Sequence, residues 1–303
     1  MINIERALRN KRLMLAMTGV TPQEFNDLIP AFSQAWLEEK RKYHQKNAKE
    51  RKFGGGRIGF LKTIPEKLFF ILFYYKCYPT YDLASLIFDC GRSNACRRQF
   101  QLSKPLEKTL KRKLVLPVRK MKTLEEFFAA FPGAREVFID GTERPIQRSK
   151  NGKKQKEDYS GKNKRHTRKN LIIADKRKRI GFLGKTVGGK EHDFTILKNQ
   201  SSPDNMPKYV KKHVDLGFKG IEKQYPGHII SMPKRKPRTS NLSLFAKEQN
   251  KKKSAVRVLA ENALAGVKRL RIVSDVFRNK KKDFDDTAML ISCGLWNYHL
   301  SMK

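Results

Sequence analysis

The sequence predicts an α/β fold, a mixed sheet with helices on both faces, preceded by an all-α domain. Three observations carry this reading. Up to Pro132 the apolar residues recur at helical spacing behind helix-start signals. From Glu136 onward, short apolar runs bounded by Gly, Asp and Pro take over, which is the mark of strands. The third is charge: 67 Lys and Arg against 29 Asp and Glu give the 303 residues a formal net charge of +38. Self-repulsion on that scale calls for a polyanionic partner, with nucleic acid the leading candidate. A membrane surface is the competitor, but no apolar run approaches the roughly 18 residues needed to span a bilayer. The N-terminus is polar and of mixed charge, unlike a signal peptide. Cys77, Cys90, Cys96 and Cys293 lack CxxC spacing and read as reduced thiols of a cytoplasmic protein, not a zinc site or a disulfide frame.

In the N-terminal part, Thr21-Pro22-Gln23-Glu24 opens a helix. Thr21 caps, Pro22 suits the first helical position and Glu24 completes a capping box; Phe25, Leu28, Phe32, Ala35 and Trp36 follow at helical spacing. Gly54-Gly55-Gly56 reads as a loop or hinge, since no GK[ST] follows to make it a phosphate loop. Pro65–Tyr78 reads as a buried helix and Tyr81–Phe88 as a shorter one. After the turn Asp89-Cys90-Gly91, Ser93 is placed as the cap of a helix carrying Asn94, Arg97, Arg98 and Gln99. That order is the order of a helix-turn-helix, spanning about residues 65–102, with Ser93, Asn94, Arg97 and Arg98 as candidate DNA contacts. An ordinary helical hairpin with a solvated basic face has the same pattern. A further helix is expected over Pro105–Leu114, and Thr123-Leu124-Glu125-Glu126 starts another with Phe127, Phe128 and Phe131 on its core face. The domain boundary falls between Leu116 and Pro132, dividing the chain into 1–125 and 126–303.

The second domain is organised around Val137-Phe138-Ile139-Asp140-Gly141-Thr142-Glu143-Arg144-Pro145. Three apolar residues run into an acid, and Gly, Thr and Pro then stop the run. The reading is a short strand, Val137–Asp140, that delivers Asp140 to its exposed end as a ligand for a hard metal ion. Leu171–Ala174 and Ile180–Leu183 form a hairpin with a basic tip. They lie inside Arg148–Lys190, which holds 16 Lys/Arg and three acids, Glu157, Asp158 and Asp175. Phe194–Leu197 starts a helix after His192-Asp193. A fourth strand, Lys208–Val214, ends at Asp215, where glycines make a turn, and His228–Pro233 is a fifth. Lys234–Arg257 is again basic, with nine Lys/Arg against Glu248. Ala255–Val273 is a helix with Val256, Leu259, Leu264, Val267 and Leu270 on its apolar face. Around its axis Glu261 lies about 40° and Lys268 about 20° from Arg257, so the three share one face.

Two strand-end carboxylates and one helix carboxylate can hold two Mg2+ ions roughly 3.5–4 Å apart for in-line displacement at phosphorus. Arg257 and Lys268 would offset phosphodiester charge.

These strings resemble a known family. The order of three strands, helix, two strands and helix, with acids after the first and fourth strands and on the last helix, resembles the ribonuclease-H-like core of DDE transposases. The insertion-sequence branch is matched by Ile139-Asp140-Gly141-Thr142-Glu143-Arg144-Pro145, Tyr159-Ser160-Gly161-Lys162, His166-Thr167, His192-Asp193, Asp215-Leu216-Gly217-Phe218-Lys219-Gly220 and Arg257-Val258 before Glu261. Arg257, Glu261 and Lys268 meet the branch's pattern of Arg, Glu and Lys. The resemblance implies a catalytic and metal-binding triad of Asp140, Asp215 and Glu261, with Mg2+ as cofactor and Mn2+ as a substitute. Arg257, Lys268, His192, Asp193 and Thr142 would support the phosphate or the DNA. It also implies partners: the double-stranded DNA of terminal inverted repeats and of a target, bound by a dimer or larger assembly in the bacterial cytoplasm at the nucleoid. The chain departs from the pattern at Ser254, where the branch has Tyr, at Asn262, where it often has His, and at Gly188-Gly189-Lys190, where Pro-Gly-Ser is usual. A catalytically inactive or domesticated copy acting as a DNA-binding regulator is therefore the alternative. Asp193 rivals Asp215 as second acid; Asp215 is preferred because it ends a strand, whereas Asp193 starts a helix and can serve as its cap.

Overall fold

The computed structural model describes residues 3–46, 53, 59–237, 239 and 241–303, so the reading of Gly54–Gly56 as a hinge lies outside the described residues. The chain divides into two compact units. The first joins residues 1–116 to 269–275 and 288–303; the second holds 117–268 and 276–287. This departs from the expected 1–125 and 126–303, because chain order does not report that the C-terminal segments pack with the N-terminal helices.

The first unit contains α1 (Ile4–Leu8), α2 (Lys11–Thr18), α3 (Pro22–Lys46), α4 (Ile64–Cys77), α5 (Tyr81–Phe88) and α6 (Arg92–Arg112). The Thr21 capping box forms as expected: the Glu24 amide donates to Thr21 Oγ1 (3.2 Å) and the Thr21 amide to Glu24 Oε2 (2.7 Å). A second box, Thr63 with Glu66, starts α4, whose apolar residues are buried nearly all round. Lys67 is buried among them because its ammonium donates to the carbonyls of Leu61 (2.9 Å), Lys62 (2.9 Å) and Thr63 (3.1 Å).

Between α5 and α6 the chain turns at Asp89, whose φ of 50° lies in the left-handed region that Asp tolerates. Two expectations fail here. Gly91, not Ser93, is the N-cap of α6, and no side chain caps it. The separate helix over Pro105–Leu114 is absent, because α6 runs straight through Pro105. Proline removes one donor, but the carbonyl it orphans belongs to the exposed Gln101, where water can serve it. Gln99, placed with the DNA-facing side chains, is fully buried and accepts from Tyr81 Oη (3.2 Å).

The second unit opens with α7 (Leu124–Ala130) and continues through β1 (Glu136–Pro145), α8 (Gly152–Asp158), β2 (Tyr159–Ser160), β3 (Arg165–Ala174), β4 (Ile180–Leu183), β5 (Val187–Gly188), α9 (Asp193–Gln200), β6 (Lys211–His213), α10 (Ile221–Gln224), β7 (Ile230–Ser231) and α11 (Leu244–Lys268). Beyond it lie α12 (Arg271–Ser274), in the first unit, and α13 (Phe284–Ser301), whose first turn belongs to the second unit and the remainder to the first. The sheet is mixed, as predicted: β3 is antiparallel to β1, β2, β4 and β5, while β6 runs parallel to β1 and β7 parallel to β6.

Alternation along β1 sets two faces. Val137 and Ile139 enter a core with Leu171, Ile173 and Phe182 of the sheet, Phe127 of α7, Phe131 just after it, and Ile196 and Leu197 of α9. Phe138, Asp140, Thr142 and Arg144 have the opposite parity. Helix α11 packs against β1. The strand is longer than predicted. Gly141, Thr142 and Pro145 do not end it, because β3 pairs with it as far as Pro145 opposite Thr167. Likewise α11 begins before Ala255 and ends at Lys268, short of Val273.

A polar network holds residues 276–287 on this unit. Arg144, 2% exposed, donates to Asn170 Oδ1 (2.7 Å) and to the carbonyl of Asp285 (2.9 Å). Asp286 accepts from Arg119 (2.7 Å), the Thr186 amide (2.8 Å) and Thr186 Oγ1 (2.7 Å). Replacing Asp286 by Ala strips three donors of their acceptor, one of them charged, so Asp286→Ala is expected to cost about 2–4 kcal/mol. Urea denaturation measures this; a loss below about 0.5 kcal/mol would show that the network is not coupled to folding.

Candidate active site

The site follows from a register. The last pair between the parallel strands β1 and β6 is Phe138 opposite His213. Two residues further along each strand come Asp140 and Asp215. The crevice beyond the carboxyl ends of adjacent parallel strands is where α/β sheets collect functional groups. Phe138 and His213 mark its floor, their rings stacked at 4.8 Å. Asp140 thus lies mid-strand in β1, not at the strand's end, yet at the point where β6 has stopped covering that edge. Asp215 caps the short turn Leu216–Phe218, its Oδ1 accepting from the Gly217 amide at 2.8 Å.

Asp193 joins them from beneath. A side chain at Gly141 would place its Cβ 2.7 Å from Asp193 Oδ1, so the glycine leaves the notch that the carboxylate fills. A Cβ at Gly217 would lie 2.9 Å from both Asp193 Oδ2 and Asp215 Oδ1, which puts these two carboxylates around one point. The sequence argument for preferring Asp215 is thereby reversed in one respect: Asp215 is the cap, while Asp193, first residue of α9, caps nothing. Lys169 holds it instead, 3.3 Å from Asp193 Oδ1 and 3.2 Å from Glu143 Oε1. Sequence reasoning missed Lys169, though alternation opposite Glu143 in an antiparallel pair was a usable signal.

Like charges in a shielded crevice perturb one another. Burial, and next the charge of Asp215, push the Asp140 carboxyl up to about 6; Asp193 adds to this, and Arg257 and the Gly141 amide oppose it. Burial also raises Asp193, against the pull of Lys169. Asp215 therefore acts on Asp140 more strongly than Asp193 does.

Glu261 does not join the pair. It is exposed, with its Oε1 3.5 Å from Arg257, and among the described residues no three His, Cys, Asp or Glu side chains are spaced to hold a metal ion. Arg257 is thus the cation shared by Asp140 and Glu261 in this structure. Burial holds the Lys268 ammonium below its usual range, while Asp140 and Glu143 pull it upward. Arg257, Glu261 and Lys268 follow one another on the same helix, as the spacing requires. His192 is exposed, precedes α9 and makes no capping bond. Thr142 corrects an expectation: it is 1% exposed and its Oγ1 has no partner among the described residues, so it cannot reach DNA. Of the helix-turn-helix candidates, Ser93, Asn94 and Arg97 are exposed on α6, whereas Arg98 is half-buried and donates to Gln101 Oε1 (3.0 Å).

A family profile described as DDE superfamily endonuclease matches residues 139–297. The chain belongs to this family. The match begins one residue before Asp140 and takes in Asp193, Asp215, Glu261 and Lys268. A second profile, the helix-turn-helix of DDE superfamily endonuclease, matches residues 60–111 and so spans α4, α5 and nearly all of α6. The chain is 29% identical over 304 aligned residues, covering 100% of both proteins, to the probable transposase for insertion sequence element IS702 of Microchaete diplosiphon. No solved structure matches it. No helix among the described residues is long and apolar enough to cross a membrane.

The electrostatics of this DDE endonuclease give a stability test. Asp140 titrates near 6 when folded and near 3.9 when unfolded, so the folded state binds its proton more tightly. The penalty for ionising it grows between those values and is complete above about pH 6, on the order of 3 kcal/mol at most. With chelator present, Asp140→Asn is expected to unfold a few degrees above the wild type at pH 8 and to match it at pH 4. Equal melting temperatures at both pH values would mean that burial and the neighbouring acids do not raise the Asp140 carboxyl.

Proposed function

We propose that this chain is an insertion-sequence transposase: it cleaves the ends of its element and transfers the 3′-hydroxyl strands to target DNA. The observation that carries the reading is the pair Asp140 and Asp215, side by side two residues past the last register pair, with Arg257 and Lys268 on α11 acting on Asp140. The family and the full-length likeness to a probable transposase support it.

The acids fit a hard divalent cation. Their donors are carboxylate oxygens, which Mg2+ and Mn2+ favour, and their mutual repulsion is what a cation relieves. In this reading Asp140, Asp215 and Glu261 hold two such ions, with Asp193 and Lys169 setting the charge beneath them. Bound there, the ions would supply charge stabilisation at phosphorus and an acidified water or hydroxyl. The remaining work belongs to the protein. Arg257 and Lys268 offset the phosphodiester's charge and hold it in line with the acids. Glu261 must exchange Arg257 for the ion, which the adjacent turn of α11 permits by rotation of two flexible side chains. His192 lines the adjoining cavity and is read as a contact to the strand.

Helix α6 is read as the recognition helix for the terminal repeats, with Ser93, Asn94 and Arg97 facing the duplex and Arg98 contributing less. The active form is proposed to be at least a dimer on DNA, since transposition brings two ends together.

The test is cleavage and joining of a labelled duplex carrying the element's own terminal repeat, with Mg2+, with Mn2+ and with chelator. Asp140→Asn and Glu261→Gln are each expected to lower product by at least 10^2-fold while duplex affinity stays within about twofold. Product from Asp140→Asn at the wild-type rate would refute the assignment. Tight binding with no product from the intact protein would turn the reading to a DNA-binding regulator. Separately, Arg97→Ala is expected to weaken duplex binding and to lower the salt dependence by about one counterion, read from affinities across a salt series. An unchanged slope would remove Arg97 from the interface.

A further inference from the structure

On the Asp193 side of β1 lies a cavity of about 690 Å³, within the 300–1,000 Å³ common for small ligands. Asp193 and Asp215 stand in its wall, and five Lys and Arg side chains line it. A second cavity, of about 650 Å³, is lined by Arg148, Lys156, Lys190 and His166 and by no acid. The two share Tyr159, Gly161 and Lys190. The reading above uses only the acids, Lys169 and His192 at one end of this pair of cavities.

Tyr159 is 44% exposed and lines both cavities. Its backbone is fixed by pairing with His166 in β3, and its ring meets the His166 ring edge-on at 5.7 Å. The chain beneath it is tightly drawn. A Cβ at Gly188 would lie 2.4 Å from the Glu157 carbonyl, and one at Gly189 would lie 2.1 Å from Thr167 Oγ1. The Lys190 amide donates to the Glu157 carbonyl at 3.1 Å. Lys190 is thereby held beside Tyr159. Lys156, Lys162, Lys190 and Lys219 make no ion pair among the described residues, so their charge is open to a ligand.

An exposed aromatic ring between two cationic cavities matches one kind of ligand: a single strand of nucleic acid, whose bases can stack and whose phosphates recur along the chain. A duplex does not fit, because its bases are already stacked on each other and the cavities are too small to admit it. We propose that unpaired nucleotides adjoining the phosphate at Asp140 and Asp215 run through these two cavities, stack one base on Tyr159 and place their phosphates against Lys190, Lys162 and Arg148. This rests on the reading of the chain as a DNA-cleaving enzyme, in that the strand ends at its acids. It assigns to the first basic stretch a role in holding a separated DNA strand beside the reacting phosphate.

The experiment uses the full chain in chelator, so that no cleavage occurs. A labelled single-stranded DNA of about ten nucleotides, within the usual site size, is titrated by fluorescence anisotropy. A matching oligomer of abasic units and the terminal-repeat duplex are titrated beside it. Tyr159→Ala is expected to weaken single-strand binding about tenfold and to leave the duplex within twofold. Tyr159→Phe should keep wild-type affinity. The abasic oligomer should bind about tenfold more weakly than the DNA and be indifferent to Tyr159→Ala. Lys190→Ala should weaken both single strands equally. Thermal unfolding of each variant confirms that it folds. Equal binding of DNA and abasic oligomer, or a Tyr159→Ala protein that binds as the wild type does, would overturn the proposal. Cleavage by Asp140 variants is read in a different assay, so failure of the enzyme reading and failure of the single-strand site are distinguishable.

Discussion

Repulsion among carboxylates at the end of a parallel strand pair is the constraint on which the second unit depends. Burial raises the cost of ionising Asp140 and Asp193, and the charge of Asp215 adds to it at both. Such a cluster survives only if cations are built around it. Three are, from different elements. Lys169 on β3 answers Asp193 and Glu143, while Arg257 and Lys268 on α11 act on Asp140. The result is a crevice in which the acids and the cations around them are closely balanced.

The same logic explains the glycines at the site. Gly141 interrupts the side-chain row of β1 so that an acid from α9 can lie against the strand, and Gly217 admits Asp193 and Asp215 around one point. Any larger residue at either place would collide with a carboxylate. Arg144 and Thr142, on the face opposite Gly141, have another task. Arg144 is bound into the network of Asn170 and the Asp285 carbonyl, and Thr142 is sealed in the interior. One short run of sequence therefore carries both an acid of the crevice and the anchor for a segment more than a hundred residues away.

Much of this was legible because it is local. The starts of α3 and α4, the bounds of α5, the hairpin tip at Asp175 and the helical face of Arg257, Glu261 and Lys268 follow from capping chemistry and from a period of 3.6 residues. Errors came where tertiary partners override local signals. Proline at 105 reads as a helix start, yet burial of its neighbours on α6 carries the helix through it. Gly141 and Pro145 read as strand breakers, yet pairing with β3 keeps β1 extended. Gln99 follows the candidate contacts on α6 and Thr142 was implied as a phosphate or DNA contact by the family resemblance, and burial removes both from the surface.

By itself, then, the sequence determined which residue types are present and in what order: a basic helical first part, acids at 140, 193, 215 and 261, and the cationic stretches between them. Those features are written in local periodicity, caps and charge. Only the tertiary structure decided which acids meet. The parallel register of β1 and β6 sets Asp140 beside Asp215, the empty space at Gly141 admits Asp193, and the ion pair with Arg257 leaves Glu261 outside. Contacts between residues this far apart in the chain depend on strand pairing and packing, which no local pattern encodes.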